Sequence, residues 1–390
     1  MKDAQPETGG ETIELQQQVA RLQALLEATR QVHATIHEEE VMEAVLRIVV
    51  RELEMAGAAF AGTELAYGEG PPAAAAGNGA GRVAYALADR DGNTMTELVV
   101  ASPGGRELTI YEADFLEGLA LQAAVALENA RNHKRNIELA RLHQDMEAAR
   151  QIQRSLLPQK LPEICGYSLA FRSDACHEVG GDYLDIVEQP DGDLLLAVAD
   201  VAGKGLASAI MSMSFRTVFR GLALAGVPLK ELARRMNQHH WAEGEEARRR
   251  FVTAIFLRLD TRAGEIEVVN AGHNPGFLVG SGGEVRLLKA GGPPLGLLAG
   301  MSYSGERCAF PAGARLLFYT DGLTEVFRGD EEFGQERLLK VFSRCSAAKP
   351  DGILDALWAA VEAFGAGGPQ ADDMTALALC HGSDRAEMPG

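Results

Sequence analysis

The chain has 390 residues, 46% hydrophobic and 24% charged, and a formal net charge of −18. It is long enough for two or three domains with separate cores. The acidic balance argues against nucleic-acid binding, because no broad basic surface is available to release counterions from phosphates. No run of 18 apolar residues offers a membrane span, and the polar start "MKDAQPETGGETIE" lacks the apolar core of a secretory signal. Five cysteines, an odd count with no C-x-x-C pair, argue against a disulfide framework or zinc site and point to a reducing cytoplasm.

In chain order, residues 11–30 read as a helix. Leu15, Val19, Leu22 and Leu26 step by four, three and four, a short heptad seam. Two readings fit it: a parallel coiled-coil dimer, or an amphipathic helix packed on its own domain. A second helix is predicted from Glu38 to Arg51. The Gly/Ala/Pro-rich run 68–81 reads as a loop, and "RVAYALAD" and "TELVVASP" flank a hairpin turn at Asp91-Gly92. A long helix is predicted from about Glu112 to Leu157, roughly 60 Å at 1.5 Å per residue. Leu139, Leu142, Met146, Ala149 and Leu156 form a near-heptad seam on it, with Gln153 as the polar exception, and Pro158 ends it.

After Leu161 strands dominate, among them Tyr183–Val187, Leu194–Ala199, Phe251–Leu259, Arg315–Tyr319 and Met374–Cys380. Helix pairs near Ala207–Trp241 and Gln335–Phe364 lie between them. Five domains or segments are thus predicted: 1–37, a coiled-coil candidate; 38–127, a small α+β module; 128–160, a helical linker; 161–382, the main domain; and 383–390, a tail.

Four acidic sites in the main domain share one design. "EVGGDYLD" puts Asp182 after two glycines at a strand start. "AVADVAGKG" puts Asp200 at a strand end, "FYTDGLTE" does the same for Asp321, and "ADDMTALAL" puts Asp372 and Asp373 before the last strand. Singly, each is explained by a turn or a solvated cap. Together, on neighbouring strands, they repel unless protons, lysines or metal ions neutralise them. Only oxygen ligands are offered, which favours Mg²⁺ or Mn²⁺ over zinc. Glycines at 180, 181, 203 and 205 leave room for backbone carbonyls such as that of Val201 and for a bulky anion. Two such cations would make a two-metal hydrolase for phosphate esters.

Eight motifs in order, "ARQIQRSLLPQKLP", "EVGGDYLD", "ADVAGKGLASA", "FVTAIF", "NAGHNP", "PPLGL", "FYTDGLTE" and "DDMT", resemble the PPM family of metal-dependent Ser/Thr protein phosphatases, in its SpoIIE/RsbU-like branch. The resemblance covers roughly Ala148 to His381. It implies an α+β chain whose phosphatase domain is an αββα sandwich binding two Mn²⁺ or Mg²⁺ ions. By motif, Asp182 ligates one metal, Asp200 bridges both, the Val201 carbonyl adds to one, and Asp321 and Asp372 hold the other. Asp373, Gly181 and Gly203 support these ligands. Ala202 stands where the wider family often has a proton-donating histidine, and the phosphate-clamping arginine of that family has no match, with His177 near its place. The 38–127 module resembles a GAF-type sensor domain. The implied substrate is a phosphorylated STAS-domain protein of a partner-switching pathway, with the connector "ARQIQRSLLPQKLP" relaying control.

Weaker signals read as structural. His273 in "NAGHNP" fits a turn, His239-His240 lies on a helix, Arg248–Arg250 reads as a solvated turn, and Lys204 as a solvated loop lysine. A P-loop at "GKG" fails, with no glycine five residues before Gly203 and no Ser or Thr after Lys204. The functional alternative is a non-catalytic dimeric scaffold that binds phosphoprotein. In either case the helical seams predict a homodimer.

Overall fold

A computed structural model describes residues 8–69, 81–345, 349–368 and 370–382, excepting the side chains of 8–15, 17 and 21. The tail 383–390 and most of the 68–81 loop lie outside the described residues. The chain divides into two compact units, Met1–His143 and Gln144–Gly390.

The first unit contains α1 (Thr8–Val32), α2 (Glu38–Glu52), β1 (Gly57–Phe60), β2 (Ala66–Gly68), β3 (Arg82–Ala88) and β4 (Thr94–Ala101). It also holds most of α3 (Ile110–Leu156), whose last turns belong to the second unit. The strands form one antiparallel sheet in the order β2-β1-β4-β3. In the predicted hairpin turn Gly92 has φ +84° and Asp89 accepts the Asp91 and Asn93 amides. Buried residues on α3 recur as Phe115, Leu116, Leu119, Ala120, Ala123, Ala124 and Leu127, the i, i+3, i+4 stripe of a helix packed on one side. Ala28 and Val32 of α1 enter the same core, while Val19, Leu22 and Leu26 of the predicted seam are 50–65% exposed. Leu15's side chain lies outside the described residues.

The second unit contains β5 (Tyr167–Asp174), β6 (Tyr183–Glu188), β7 (Leu194–Val201), α4 (Leu206–Leu224), α5 (Leu229–Ala242), α6 (Glu245–Arg248), β8 (Val252–Asp260) and β9 (Glu265–Ala271). There follow β10 (Gly276–Val279), β11 (Val285–Leu288), β12 (Gly291–Gly292), β13 (Glu306–Ala309), β14 (Arg315–Tyr319), β15 (Phe327–Arg328) and β16 (Glu331–Glu332). The unit ends with α7 (Gly334–Arg344), α8 (Pro350–Gly365) and β17 (Met374–His381). Its main strands are largely apolar on both faces because both faces are buried. Leu194, Leu196 and Val198 of β7 and Ile255, Leu257 and Leu259 of β8 meet Leu316 and Phe318 of β14 and Leu377 and Leu379 of β17. The alternate residues face outward, since side chains change face with period two. Leu195, Ala197, Ala199 and Phe256 pack on Phe215 and Phe219 of α4 and Leu232 and Met236 of α5. Leu317, Tyr319, Ala376 and Ala378 pack on Phe342 of α7 and Leu357 and Trp358 of α8.

Three apolar layers therefore separate helices, sheet, sheet and helices, the expected αββα sandwich. One sheet runs β11-β10-β14-β17-β5, the other β12-β9-β8-β7-β6, with β13 also pairing β9. The short elements β12, β13, β15, β16 and α6 were not predicted.

One charge lies inside this frame. Asp185 of β6 is fully buried, and Arg220 of α4 binds it through Nε at 2.6 Å and Nη2 at 2.8 Å, while the Tyr183 hydroxyl donates to it at 2.5 Å. A bidentate guanidinium satisfies a carboxylate that hydrophobic packing alone would not tolerate. Arg220→Ala is expected to destabilise the second unit by about 3 kcal/mol, the usual cost of orphaning a buried charge. The double variant Asp185→Leu/Arg220→Leu should recover much of that. Urea midpoints of the chain and both variants check this, and an unshifted Arg220→Ala midpoint refutes it.

Candidate metal centre

Antiparallel pairing decides where the acidic residues meet, because the start of one strand lies beside the end of its partner. Tyr183 at the head of β6 opposes Ala199 near the end of β7, so Asp182 and Asp200 share a corner of one sheet. Tyr319 at the end of β14 opposes Ala376 near the head of β17, so Asp321 and Asp372 share a corner of the other. The two corners feel each other's charge. Burial, then Asp321, Asp372 and Asp373, push the Asp200 carboxyl up to about 7. Burial and then Asp200 raise Asp182 well above the usual carboxylate range, against hydroxyl donors on Thr375 and Thr320. Burial and Asp372 raise Asp321. These are like charges confined away from water.

The surroundings hold them in place. Thr320 Oγ1 donates to Asp182 Oδ2 at 2.8 Å. Asp373 accepts the Cys176 amide at 2.8 Å and the Gly181 amide at 2.7 Å, which fixes the loop that delivers Asp182. A Cβ on Gly180 would overlap the Asp373 carboxylate, and one on Gly181 would sit 2.9 Å from the Val201 carbonyl and 3.2 Å from Asp200 Oδ1. Only glycine admits these approaches. Gly203 has φ +103°, and the Arg250 guanidinium lies where its side chain would be.

Lys204 is half-exposed, as a loop lysine should be, but it is also paired. Its Nζ is 3.0 Å from Asp372 Oδ2 and donates to the Ala371 carbonyl at 2.6 Å, so one corner of the cluster is neutralised by the chain itself. Spacing could not show this contact, because the two residues are 168 positions apart in the sequence. Gln153 was visible only as a break in the apolar seam. Its amide donates to the Gly180 carbonyl at 2.7 Å and accepts the Gly180 amide at 3.1 Å, which ties the end of α3 to the Asp182 loop.

His273 is buried beside Thr253, with Nδ1 2.8 Å from its hydroxyl, and burial pushes its ring down to about 4. Asn270 binds the His273 amide and carbonyl, as a turn-forming motif should. Thr253 opposes Asp200 in the β7–β8 ladder, so this neutral ring braces the site. His240 is buried against the carbonyls of Ala247 and Arg250. In the Arg248–Arg250 run, Arg248 and Arg249 are exposed as expected, Arg248 stacking on Trp241 and Arg249 pairing with Glu245 and Glu246, while Arg250 is half-buried beside Gly203.

Among the described residues, no three His, Cys, Asp or Glu side chains already stand at the spacing of a closed metal-ligand set. The carboxylates are near enough to shift one another's proton affinity. An all-oxygen donor set with raised carboxyl affinities for protons suits a hard divalent cation, and the residues fit Mg²⁺ or Mn²⁺. A group whose folded-state affinity for protons is raised is favourable in its neutral form. Asp200 moves from an ordinary 3.8 to about 7, so the metal-free chain should lose stability as pH rises between those values and level off above them. Asp200→Asn should flatten that slope, and Mg²⁺ at about 100 times its Kd should add about 2.7 kcal/mol to the wild type. Urea midpoints of chelator-treated protein across this pH range are the measurement. Equal slopes for wild type and variant would count against the cluster.

Residues 190–382 match the family "Stage II sporulation protein E (SpoIIE)". Protein IcfG of Synechocystis is 26% identical over 261 residues, 60% of this chain and 41% of that protein. Phosphoserine phosphatase RsbP of Bacillus subtilis is 31% identical over 192 residues, 46% of this chain and 45% of that protein. The chain thus spans less than half the length of these curated relatives. Among solved structures, the SiaA-PP2C domain of Pseudomonas aeruginosa superposes with a TM-score of 0.55 at 22% identity, covering 62% of this chain and 98% of that one, which establishes the fold. With eight motifs, three apolar layers and the family match in agreement, the second unit is a SpoIIE-family domain with the PP2C phosphatase fold.

Proposed function

We propose that this chain is a divalent-metal-dependent phosphatase of phosphoserine or phosphothreonine in proteins. The observation that carries the reading is that Asp182, Asp200, Asp321 and Asp372 lie near enough to feel one another's charge, with burial and mutual charge raising the proton affinity of the first three. Asp182, Asp200, the Val201 carbonyl, Asp321 and Asp372 would hold two Mn²⁺ or Mg²⁺ ions. When bound, these ions supply Lewis acidity toward phosphoryl oxygens and activate water. Thr320 orients Asp182, and Asp373 and Gln153 fix the loop before it, whose bare backbone at Gly180 and Gly181 packs directly on Asp373, the Val201 carbonyl and Asp200. Ala202 offers no side-chain proton to a leaving serine.

The substrate class we propose is a phosphorylated STAS-domain protein of a partner-switching pathway, with the GAF-like first unit as sensor and α3 as relay. The phosphoserine phosphatase named among the relatives supports the chemistry. Exposed Val19, Leu22 and Leu26 on α1 support a homodimer. Among the described residues no helix is long and apolar enough to cross a membrane.

Mn²⁺ should support release of phosphate from a phosphoserine protein, and EDTA should abolish it. Asp200→Asn should lower kcat by about 10²-fold or more, since losing a bridging ligand removes several kcal/mol of charge stabilisation. Binding of the phosphoprotein without turnover under every divalent cation would instead favour the scaffold reading. For the dimer, sedimentation of the full chain at tens of micromolar should give twice the monomer mass, and Leu22→Glu/Leu26→Glu should halve it. A monomeric wild type sinks that part.

A further inference from the structure

Both carboxylate oxygens of Asp372 are taken by donors of this chain. Oδ1 accepts the Asp373 amide at 2.9 Å, and Oδ2 lies 3.0 Å from Lys204 Nζ. Among the described residues, this is the one ion pair made by any of Asp182, Asp200, Asp321 and Asp372. Lys204 also donates to the Ala371 carbonyl at 2.6 Å, so its ammonium grips the approach to β17 at two points.

The backbone puts the lysine there. Lys204 stands between Gly203 at φ +103° and Gly205 at φ +78°, in the turn that leaves β7 just after Asp200. Asp372 leads into β17 of the other sheet, so one ammonium joins the two acidic corners. Its charge also reaches past Asp372. Burial and acidic neighbours raise Asp200 and Asp321, and Lys204 opposes the rise at both. Yet the hold is weak. The Lys204 and Asp372 side chains are 50% and 36% exposed, and half-exposed pairs contribute little to stability. Lysine carries a compact, strongly hydrated charge on a flexible stem, so it exchanges one partner for water at low cost. A hard divalent cation binds carboxylate oxygens directly and repels a neighbouring ammonium. The two cations therefore oppose one another at Asp372.

We propose that Lys204 is a displaceable counterion, which competes with a divalent cation for Asp372 and so sets how tightly the Asp321–Asp372 side of the cluster takes its ion. The inference rests on the metal-dependent reading, because a competitor has meaning only where a cation binds. In this role the lysine weakens metal binding, the reverse of what a residue that orients a ligand does. Arginine would grip the carboxylate through two N–H groups and would be harder to displace.

The test is calorimetric titration of Mn²⁺ into the full chain, stripped with a chelator that is then removed. Lys204→Met keeps the stem and removes the charge. It should tighten the weakest Mn²⁺ binding event by about fivefold, the effect of releasing one half-exposed ion pair. Lys204→Arg should weaken the same event. Lys340→Met, on the exposed side of α7, takes away an equal charge that makes no contact with Asp372 and should change nothing. The inference is overturned if Lys204→Met binds Mn²⁺ no more tightly than wild type, or if Lys340→Met tightens binding equally. Weaker binding by Lys204→Met would mean that the lysine orients Asp372 for the ion, and equal tightening would mean that only net charge matters. Circular dichroism of each variant establishes folding, and Lys204→Gln decides the matter should the methionine variant unfold. A wild type that binds no Mn²⁺ removes this inference and the metal-dependent reading together. The expected shifts without turnover of a phosphoserine protein would remove the phosphatase reading and leave the competition standing. Mn²⁺-dependent turnover with binding indifferent to Lys204 would do the reverse.

Discussion

Mutual repulsion among Asp182, Asp200, Asp321 and Asp372 is the constraint around which the second unit is arranged. Carboxylates half out of water resist sharing a pocket, and three of these hold protons more tightly than free aspartate does. Nothing local to any one of them makes the cluster stable. It exists because the strands that carry them are fixed by something stronger, the three apolar layers of the sandwich. Each large aliphatic or aromatic side chain fully buried there contributes on the order of 1.5–3 kcal/mol, and many such contributions outweigh a few unfavourable charge contacts. A divalent cation turns the same repulsion into affinity, so the free energy that destabilises the empty site is recovered on binding.

The layers also set the geometry. Two antiparallel ladders, β6–β7 and β14–β17, each bring a strand start against a strand end, and the sandwich stacks these corners face to face. The four aspartates gather from sequence positions up to 190 apart without any loop having to reach. Loops then perform the finer adjustment. Asp373 holds the segment from Cys176 to Gly181, and Lys204 covers Asp372. The Asp185–Arg220 pair anchors α4 to the strand that begins beside Asp182.

Much of this was legible in the chain itself. Unbroken apolar runs such as Leu194–Val198 announce strands buried on both faces, and an aspartate near the end of each strand, with glycine close to Asp182, Asp200 and Asp321, announces the cluster. What stayed hidden depends on contacts between segments remote in sequence. Lys204 reads as a loop cation until the fold sets Asp372 beside it, and Thr320, just past a strand end, carries no signal until its hydroxyl meets Asp182. β13 is short and its outer positions are polar, so its pairing with β9 leaves little periodic trace. Gln153 lies between these cases. Its polarity on an apolar seam was a visible irregularity, but its meaning required Gly180 as partner.

That partner bounds what α3 can do to the site. The tie consists of two hydrogen bonds between the Gln153 amide and the Gly180 backbone, each contributing about 0.5–1.5 kcal/mol net. A displacement of the last helical turns that breaks both therefore shifts the Asp182 loop by about 1–3 kcal/mol, or 5- to 150-fold in the population of the aligned site. Other contacts of α3 within the second unit, such as the Leu156 carbonyl that accepts from Arg220's neighbour Arg216, add to this only if they break together with it. The loop's remaining anchor, Asp373, belongs to β17's approach and does not move with the helix. Breaking that tie would therefore act on the Asp182 loop alone, while Asp200, Asp321 and Asp372 stay on or beside strands that the apolar layers hold.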